Sequence, residues 1–374
     1  MDERLQRTAA AVAEAGADWL VLTAPDAVAY ATGHVVPIEA GPSPFAGGPT
    51  LALVSRDGTA GLVAANVEAA AAARAWVDQT VIYEGYGFEQ PAPYPANYQA
   101  AVAELVRRLG VRGRIAADPV TFPAWLAELL PADPRLDATM PLARARATKT
   151  AAELVALRRS AEAAAVGQAA FVRALRPGRT ELAVFAELRC AIEEFAGERV
   201  PITGDFVSGV ARTAAFTGWP NARVIEAGDP VMADLAPRIA GYWGDSCQVT
   251  VVGTPRLGHD RLYQASRGAL DLAMSLIRPG LRIDRFDAEI RAHVAKAGYA
   301  YPHHSGHSIG TAVHEFPRLV PYETSAFQED MVVLVEPGAY DPAIGGVRSE
   351  YMLRVTATGC EPLAPFDQVM AVAG

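Results

Sequence analysis

The sequence predicts a mixed α/β (α+β) fold in two domains, residues 1–145 and residues 146–374. Three observations support this prediction. A chain of 374 residues is too long for one ordinary hydrophobic core. Strand-like and helix-like segments alternate through the first part of the chain. The second part contains an internal repeat, which predicts a catalytic domain with pseudo-two-fold symmetry.

The first domain is predicted to be a mixed sheet covered by helices. Helices are expected over residues 66–75 and 97–109, where apolar residues recur at helical spacing. No cluster of histidine, cysteine and acidic residues occurs there at a useful spacing, so a structural or site-covering role is expected. Short apolar and β-branched runs predict strands over residues 19–22, 50–54, 61–64, 80–83 and 114–117.

The repeat begins after a change of pattern around residues 140–150. A long, alanine-rich amphipathic helix is predicted from Ala151 to about residue 175. The tripeptide Arg-Pro-Gly at 176–178 recurs 102 residues later at 278–280, and Ala-Glu-Leu-Arg at 186–189 recurs at the same offset as Ala-Glu-Ile-Arg. Each half is therefore predicted to contain two helices separated by a Pro-Gly turn, followed by a strand pair.

Four acidic residues occupy related places in the two halves. Asp234 lies 102 residues before Glu336, and Asp245 and Glu350 follow on the predicted return strands. Carboxylates inside apolar strands are costly unless something binds them. With the imidazole of His307 they would hold two divalent ions, Mn being favoured and Co, Zn or Fe possible. Such a pair of ions makes hydroxide at neutral pH, so the sequence indicates a dinuclear metallohydrolase.

These segments resemble the creatinase, prolidase and methionine aminopeptidase family, the pita-bread metallopeptidases. The resemblance rests on the acidic hairpins, the Gly-His-x-x-Gly…His-Glu-x-Pro segment at 306–317, the Glu-Pro-Gly turn at 336–338 and the Arg-x-Glu strand at 348–350. The preceding domain fits the Xaa-Pro aminopeptidase and prolidase group. The resemblance implies a creatinase-like N-terminal domain over 1–145 and a pita-bread catalytic domain over 146–374.

The resemblance also implies which residues hold the metals. Asp245 and Glu350 would bridge the two ions. Asp234 would complete the shell of one ion, and His307 with Glu336 the shell of the other. Glu336 would in addition take the proton of the attacking water as general base.

Three further residues are implied to act on the substrate. His314 would donate a hydrogen bond to the scissile carbonyl oxygen, and His303 would help to bind the substrate. Arg348 would lie at the substrate site and position Glu350 or neighbouring acids through its planar guanidinium. Two neighbours are interpreted differently: His304 as a loop histidine and Cys247 as a small packing residue.

Two departures from the family pattern leave the substrate open. Peptidases of the family generally carry a histidine near the position of Thr217, and they usually have an arginine in place of Gln248. The leading hypothesis is an Xaa-Pro aminopeptidase or dipeptidase that cleaves a C–N bond through a metal-bridging hydroxide. The alternatives are a metal-dependent amidohydrolase or lyase with the same ligands, and a catalytically inactive binding module.

Composition limits the classes of binding partner and the cellular compartment that we expect. A net charge of -9 disfavours nucleic acid, and no uncharged apolar run approaches the ~20 residues of a membrane span. The charged N-terminus and three cysteines without zinc or redox spacing suit free thiols in the cytoplasm. Gly-x-Ser-x-Gly at 306–310 also matches the nucleophile turn of serine hydrolases, but the last histidine, His314, follows only six residues after Ser308 with no acid suitably placed between them, so that class is discarded. We expect a short-peptide or small-molecule substrate and, from the resemblance, a homodimer.

Overall fold

The computed structural model describes residues 1–38, 46–132, 134 and 136–373. The chain divides into two compact units, Met1–Arg146 and Ala147–Gly374. Among the described residues, every helix is too short or too polar to cross a membrane.

The first unit is a six-stranded sheet with helices packed on both faces. Two 3-10 turns, Asn66–Glu68 and Ala124–Leu129, add to the helices. Its helices are α1 (Glu3–Glu14), α2 (Pro25–Thr32), α3 (Ala69–Ala72), α4 (Tyr94–Leu109) and α5 (Thr139–Ala147). Its strands are β1 (Trp19–Leu22), β2 (Leu51–Ser55), β3 (Ala60–Ala65), β4 (Gln79–Tyr83), β5 (Ile115–Ala117) and β6 (Leu136–Asp137).

The sheet of the first unit is mixed, in the order β4-β3-β2-β1-β5-β6. Strands β1, β2 and β3 pair antiparallel, whereas β4, β5 and β6 join in parallel. Side chains alternate between two cores, so Leu20 and Leu22 face one and Trp19 and Val21 the other. The five predicted strands are confirmed to within one residue at each end, and the predicted helix at 97–109 is confirmed as α4.

The predicted helix over 66–75 is wrong in extent. A 3-10 turn over Asn66–Glu68 leads into α3, which ends at Ala72. The chain then leaves the helix because Trp76 hydrogen-bonds to the end of α2: its backbone N–H donates to Thr32 O at 2.9 Å and its indole N–H to Ala31 O at 3.0 Å.

The second unit carries the repeated elements and two main sheets. Its helices are α6 (Ala151–Ala174), α7 (Glu181–Ala196), α8 (Val210–Ala214), α9 (His259–Leu276) and α10 (Ile283–Lys296). The strands of its first half are β7 (Ile202–Thr203), β8 (Phe206–Ser208), β9 (Pro230–Asp234), β10 (Ala236–Ile239), β11 (Tyr242–Trp243) and β12 (Cys247–Val252). Those that follow are β13 (Gly306–Ser308), β14 (Glu315–Leu319), β15 (Val332–Val335), β16 (Gly338–Asp341), β17 (Gly345–Arg348), β18 (Tyr351–Val355), β19 (Cys360–Pro362) and β20 (Ala371–Val372).

The predicted repeat is confirmed by the element boundaries. Helix α6 ends at Ala174 and α9 at Leu276, while α7 begins at Glu181 and α10 at Ile283, both 102 residues apart. Three neighbouring strands of one half, in the order β12-β9-β8, correspond to β18-β15-β13 of the other half. Each half therefore presents an acidic residue where its central antiparallel ladder ends.

The register of the first ladder differs from a simple hairpin that sets Asp234 opposite Asp245. Asp234 pairs instead with Cys247, because the short strands β10 and β11 intervene and Asp245 lies two residues before β12. In the second ladder Val335 pairs with Tyr351, which places Glu336 and Glu350 just beyond the paired residues.

Candidate metal centre

One pocket in the second unit gathers all the residues predicted for the site, from both halves of the repeat. We call it the central pocket. Phe216, Thr217 and Trp219 form part of its wall. The predicted site residues that line it are Asp234, Asp245, His303, His307, His314, Glu336, Arg348 and Glu350.

Two groups of donor side chains meet at Glu350. Asp234, Cys247 and Glu350 offer donor atoms within 4.8 Å of one another, and so do Asp245, His307 and Glu350. The second carboxylate oxygen of Glu350, Oε2, is buried and has no hydrogen-bond partner among the described residues. A buried carboxylate oxygen without a partner is costly unless a cation binds it. The donor set therefore fits a pair of divalent ions that share Glu350.

The bonding of His307 leaves one of its ring nitrogens available to a metal. The ring nitrogen Nδ1 lies 2.9 Å from Ser308 O, which can only accept, so Nδ1 carries the proton. The lone pair is therefore on Nε2, which lies 3.8 Å from Asp245 Oδ2 and 3.7 Å from Glu336 Oε1. Burial lowers the pKa of His307 to about 3, so the ring is neutral, as a metal ligand must be.

Three of the acids repel one another. Burial raises the pKa of Asp234 to about 7, and the nearby charges of Asp205 and Glu336 add to the effect while Arg348 opposes it. Burial and the neighbouring carboxylates raise the pKa values of Asp245 and Glu350 well above the ordinary range. Divalent cations would relieve this crowding of negative charge.

Glu336 differs from the other three acids. It follows β15, and its Oε1 lies 2.8 Å from His304 Nε2. Burial acts to raise its pKa, but the hydrogen bond from His304 and the charge of Arg348 outweigh burial and bring the pKa below the usual range. Glu336 is therefore the carboxylate held in its ionised form by the protein itself.

Arg348 ends β17 and binds the first half of the repeat. Its Nη1 donates to Asp234 Oδ2 and lies 3.4 Å from Asp205 Oδ2, and its Nη2 donates to Phe216 O at 2.9 Å. Arg348 therefore holds Asp234 in place across the two halves, and the acids it contacts are Asp234, Asp205 and Glu336.

His303 is fixed by two hydrogen bonds at the edge of the pocket. Its Nδ1 lies 2.9 Å from His304 O and therefore donates, so its Nε2 accepts from the hydroxyl of Tyr340 at 2.8 Å. Its ring lies 5.6 Å from that of Phe216. Burial first, and then the charge of Arg348, lower the pKa of His303 to about 4. His303 thus presents a neutral ring at the pocket.

His314 lies on a loop that a buried ion pair anchors. Its ring centre is 4.2 Å from that of His307, and burial lowers its pKa. The next residue, Glu315, accepts from Ala312 N at 3.1 Å and pairs with Lys149 Nζ at 2.8 Å. The side chain of Lys149 is fully buried, so this pair fixes the loop from inside the unit.

Three residues of the site escaped the sequence analysis. His304 lines the central pocket and contacts Glu336, although it was interpreted as a loop histidine. Cys247 is buried as a packing residue should be, yet its sulfur belongs to one donor group. Asp205 lines the pocket and accepts from the hydroxyl of Thr217 at 3.0 Å. The adjacency of His303 and His304 was the available signal, but spacing alone could not show that both reach the site.

The comparisons with known proteins identify the family. Residues 155–357 match metallopeptidase family M24, and residues 4–148 match the creatinase/prolidase N-terminal domain. The chain belongs to metallopeptidase family M24. The predicted family, fold class and metallohydrolase class are therefore confirmed.

Several of its relatives are named as dipeptidases. The chain is 30% identical over 225 residues to an Xaa-Pro dipeptidase of Pyrococcus horikoshii, covering 60% of this chain and 64% of that relative, slightly less than two thirds of its length. It is 30% identical over 365 residues to the probable dipeptidase PepE of Mycobacterium bovis, covering 95% and 92%. The solved structure of an Xaa-Pro dipeptidase from Bacillus anthracis matches it with a TM-score of 0.82 at 25% identity, covering 99% of both chains.

Proposed function

We propose that the protein is a dinuclear metal-dependent Xaa-Pro peptidase, a dipeptidase or an aminopeptidase. The observation that carries the proposal is the pair of donor groups that share Glu350. The names of its relatives, an Xaa-Pro dipeptidase among them, support proline-directed cleavage of a peptide bond.

In this proposal Asp245 and Glu350 would contribute to holding both ions, Asp234 would hold one of them, and His307 with Glu336 would hold the other. We propose manganese, with cobalt, zinc or iron as alternatives, because carboxylates and one neutral imidazole suit all four. When bound, such a pair of ions supplies an acidified water and Lewis-acid stabilisation of charge on the scissile carbonyl.

The surrounding side chains have separate tasks in the reaction. Glu336 takes the proton of the nucleophile, because its Oε1 lies 3.7 Å from the Nε2 of His307, the proposed metal ligand. His314 donates a hydrogen bond to the carbonyl oxygen as negative charge develops there. His303 contacts the substrate, and Arg348 holds Asp234 in the orientation that a metal requires.

Metal analysis and peptide turnover on the same sample test the proposal. After loading with Mn, two ions per chain and hydrolysis of Ala-Pro or Ala-Pro-Ala are expected, with Ala-Ala and Ala-Ala-Ala as matched substrates that lack proline. The dipeptide and the tripeptide separate a dipeptidase from an aminopeptidase. Two bound ions without turnover of any proline peptide would refute the Xaa-Pro assignment.

A second candidate is a metal-dependent amidohydrolase or lyase that acts on a small molecule. Thr217 favours it, because this part of the pocket wall offers a hydroxyl, bonded to Asp205, where the resemblance leads us to expect an imidazole. Small amides assayed beside the peptides distinguish the two. Turnover of an amide by protein that leaves proline peptides intact would support the second candidate.

We propose further that residues 1–145 form a creatinase-like domain that covers the active site of a partner subunit, and that residues 146–374 form the catalytic domain. A homodimer is expected for that arrangement, and the cytoplasm stays the predicted compartment. Light scattering coupled to size-exclusion chromatography measures the molar mass and so checks the homodimer. A strictly monomeric active enzyme would contradict it.

A further inference from the structure

His304 lies between an arginine and the acid proposed as general base. Nε of Arg318, on β14, lies 2.6 Å from His304 Nδ1. The opposite ring nitrogen, Nε2, lies 2.8 Å from Glu336 Oε1. The side chains of His304 and Glu336 are 10% and 7% exposed, so the hydrogen bond between them forms largely out of water, whereas Arg318 reaches His304 from the exposed side.

The arginine decides which nitrogen of His304 carries the proton. A guanidinium can only donate, so His304 Nδ1 must accept and must hold a lone pair. A doubly protonated ring would set an N–H against the N–H of Arg318. The ring is therefore neutral with its proton on Nε2, and Nε2–H donates to Glu336 Oε1.

This proton position is the opposite of that in the neighbouring histidines. His303 and His307 both place the proton on Nδ1, because each faces a backbone carbonyl oxygen there. His307 consequently has a free lone pair on Nε2 for a metal. His304 has none: one nitrogen accepts from Arg318 and the other donates to Glu336. His304 also lies within 4.8 Å of donor atoms of His307 and His314, but a metal bond through its Nδ1 would displace Arg318, and one through its Nε2 would break the hydrogen bond to Glu336.

We propose that His304 is a positioning residue for Glu336, with its proton fixed on Nε2 by Arg318. The inference rests on the proposed role of Glu336 in binding metal and accepting the proton. The hydrogen bond holds Oε1 beside His304 and 3.7 Å from His307 Nε2, while Oε2 lies 3.9 Å from Arg348 Nε. Glu336 thus keeps one orientation before a metal arrives, which reduces the ordering that binding must accomplish.

The proton position can be read directly, without any measurement of turnover. Protein labelled with 15N at its seven histidines is examined by long-range 1H–15N correlation, free of metal and loaded with zinc. The His304 signal, assigned by its loss in H304Q, is expected to show the neutral Nε2–H form in both states. An Nδ1–H form, or a nitrogen of His304 shifted by direct bonding to zinc, would overturn the proposal.

Two substitutions then separate the hydrogen bond from simple filling of space. H304L removes the donor, and the Mn affinity or kcat is expected to fall about 10- to 100-fold with KM little changed. H304Q places an amide N–H near the same point and is expected to recover most of the loss. H293Q, on α10 outside the pocket, is the control. Equal losses in H304L and H304Q would refute the hydrogen-bonding role.

The two levels of proposal fail in different ways. If the Xaa-Pro assignment is wrong, proline peptides are not cleaved, yet the Nε2–H signal and the Mn affinities of H304L and H304Q still test the positioning role. If the positioning role is wrong, native protein cleaves proline peptides while the His304 spectrum or the Gln rescue departs from expectation.

Discussion

The two halves of the second unit share a backbone plan but contribute different chemistry. Each half supplies two acids of the proposed metal site, Asp234 and Asp245 from the first and Glu336 and Glu350 from the second. Residues 147–258 contain no histidine, whereas six of the seven histidines lie from residue 259 onward. The repeat therefore builds a symmetric set of carboxylates, while the imidazoles proposed to bind metal, to donate a hydrogen bond and to orient Glu336 all lie in the second half.

Loss of a shared carboxylate is expected to have the largest effect. E350Q removes the charge common to both donor groups, and D245N removes its partner from the first half. Both should lower bound Mn below two ions per chain and reduce activity to background, because both ions depend on these oxygens. Metal analysis after dialysis measures the loss, and E289Q on the exposed face of α10 is the control. Two ions retained in either variant would contradict the symmetric contribution.

Two ion pairs should differ in strength: Lys149–Glu315, which joins the two halves, and Glu181–Arg212, which lies within the first half. K149M leaves Glu315 charged and only 4% exposed, and a loss of about 3–5 kcal/mol in unfolding free energy is expected. In the first half, Glu181 pairs with Arg212, but Ser208 N and Asn221 N also donate to it and Arg212 is 29% exposed. R212M should therefore cost about 1–3 kcal/mol.

Urea denaturation of both variants checks this comparison. The midpoint of K149M should fall further than that of R212M, with the slope unchanged in each. Equal losses of unfolding free energy in the two variants, or a larger loss in R212M, would show that burial of the cation does not determine how much each ion pair stabilises the fold.

Removal of the proposed carbonyl donor should affect the rate but not the metal content. H314A is expected to lower kcat about 10²- to 10³-fold with KM little changed, because the hydrogen bond strengthens as charge develops on the carbonyl oxygen. Steady-state kinetics with Ala-Pro, beside metal analysis, measures both quantities. Loss of an ion in H314A would instead assign His314 as a metal ligand. The second half would then supply more metal ligands than the first.

The smallest expected effect concerns pH and stability. His259 is buried near the start of α9, and Leu157 is the buried residue 102 positions earlier in α6. Burial lowers the pKa of His259 to about 4, with Asp260 opposing the shift. The unfolded chain binds the proton more readily, so the full unfolding free energy is reached only above the pKa that His259 has in the unfolded chain. As the pH falls from 7 to 5, the unfolding free energy should decrease by about 2 kcal/mol.

The first half provides the control for this pH dependence. H259L copies the residue found at the equivalent place, and it should flatten the dependence of the unfolding free energy over that pH range. An unchanged slope in H259L would show that other groups are responsible.

The sequence could predict most residues of the proposed metal site because the repeat can be recognised from the order of the residues alone. An offset of 102 residues connects Asp234 to Glu336, and short motifs mark His307 and His314. The role of His304 could not be predicted in this way. It depends on Arg318 from β14 and Glu336 after β15, which meet His304 only when three segments are side by side.

Other differences have equally local causes. The helix predicted over 66–75 has good propensity, but the hydrogen bonds of Trp76 to the end of α2 shorten it. The pairing of Asp234 with Cys247 follows from the length of the chain between β9 and β12, which composition does not reveal.

The anchoring of the His314 loop by Lys149 limits where the protein could be divided. Lys149 lies ahead of α6, and the stretch that matches the peptidase family starts only at residue 155. A shortened gene that begins at the edge of the family match would delete the amine that neutralises Glu315, leaving an internal negative charge beside the active-site loop. The smallest autonomous fragment of this enzyme must therefore start upstream of the region by which its family is recognised.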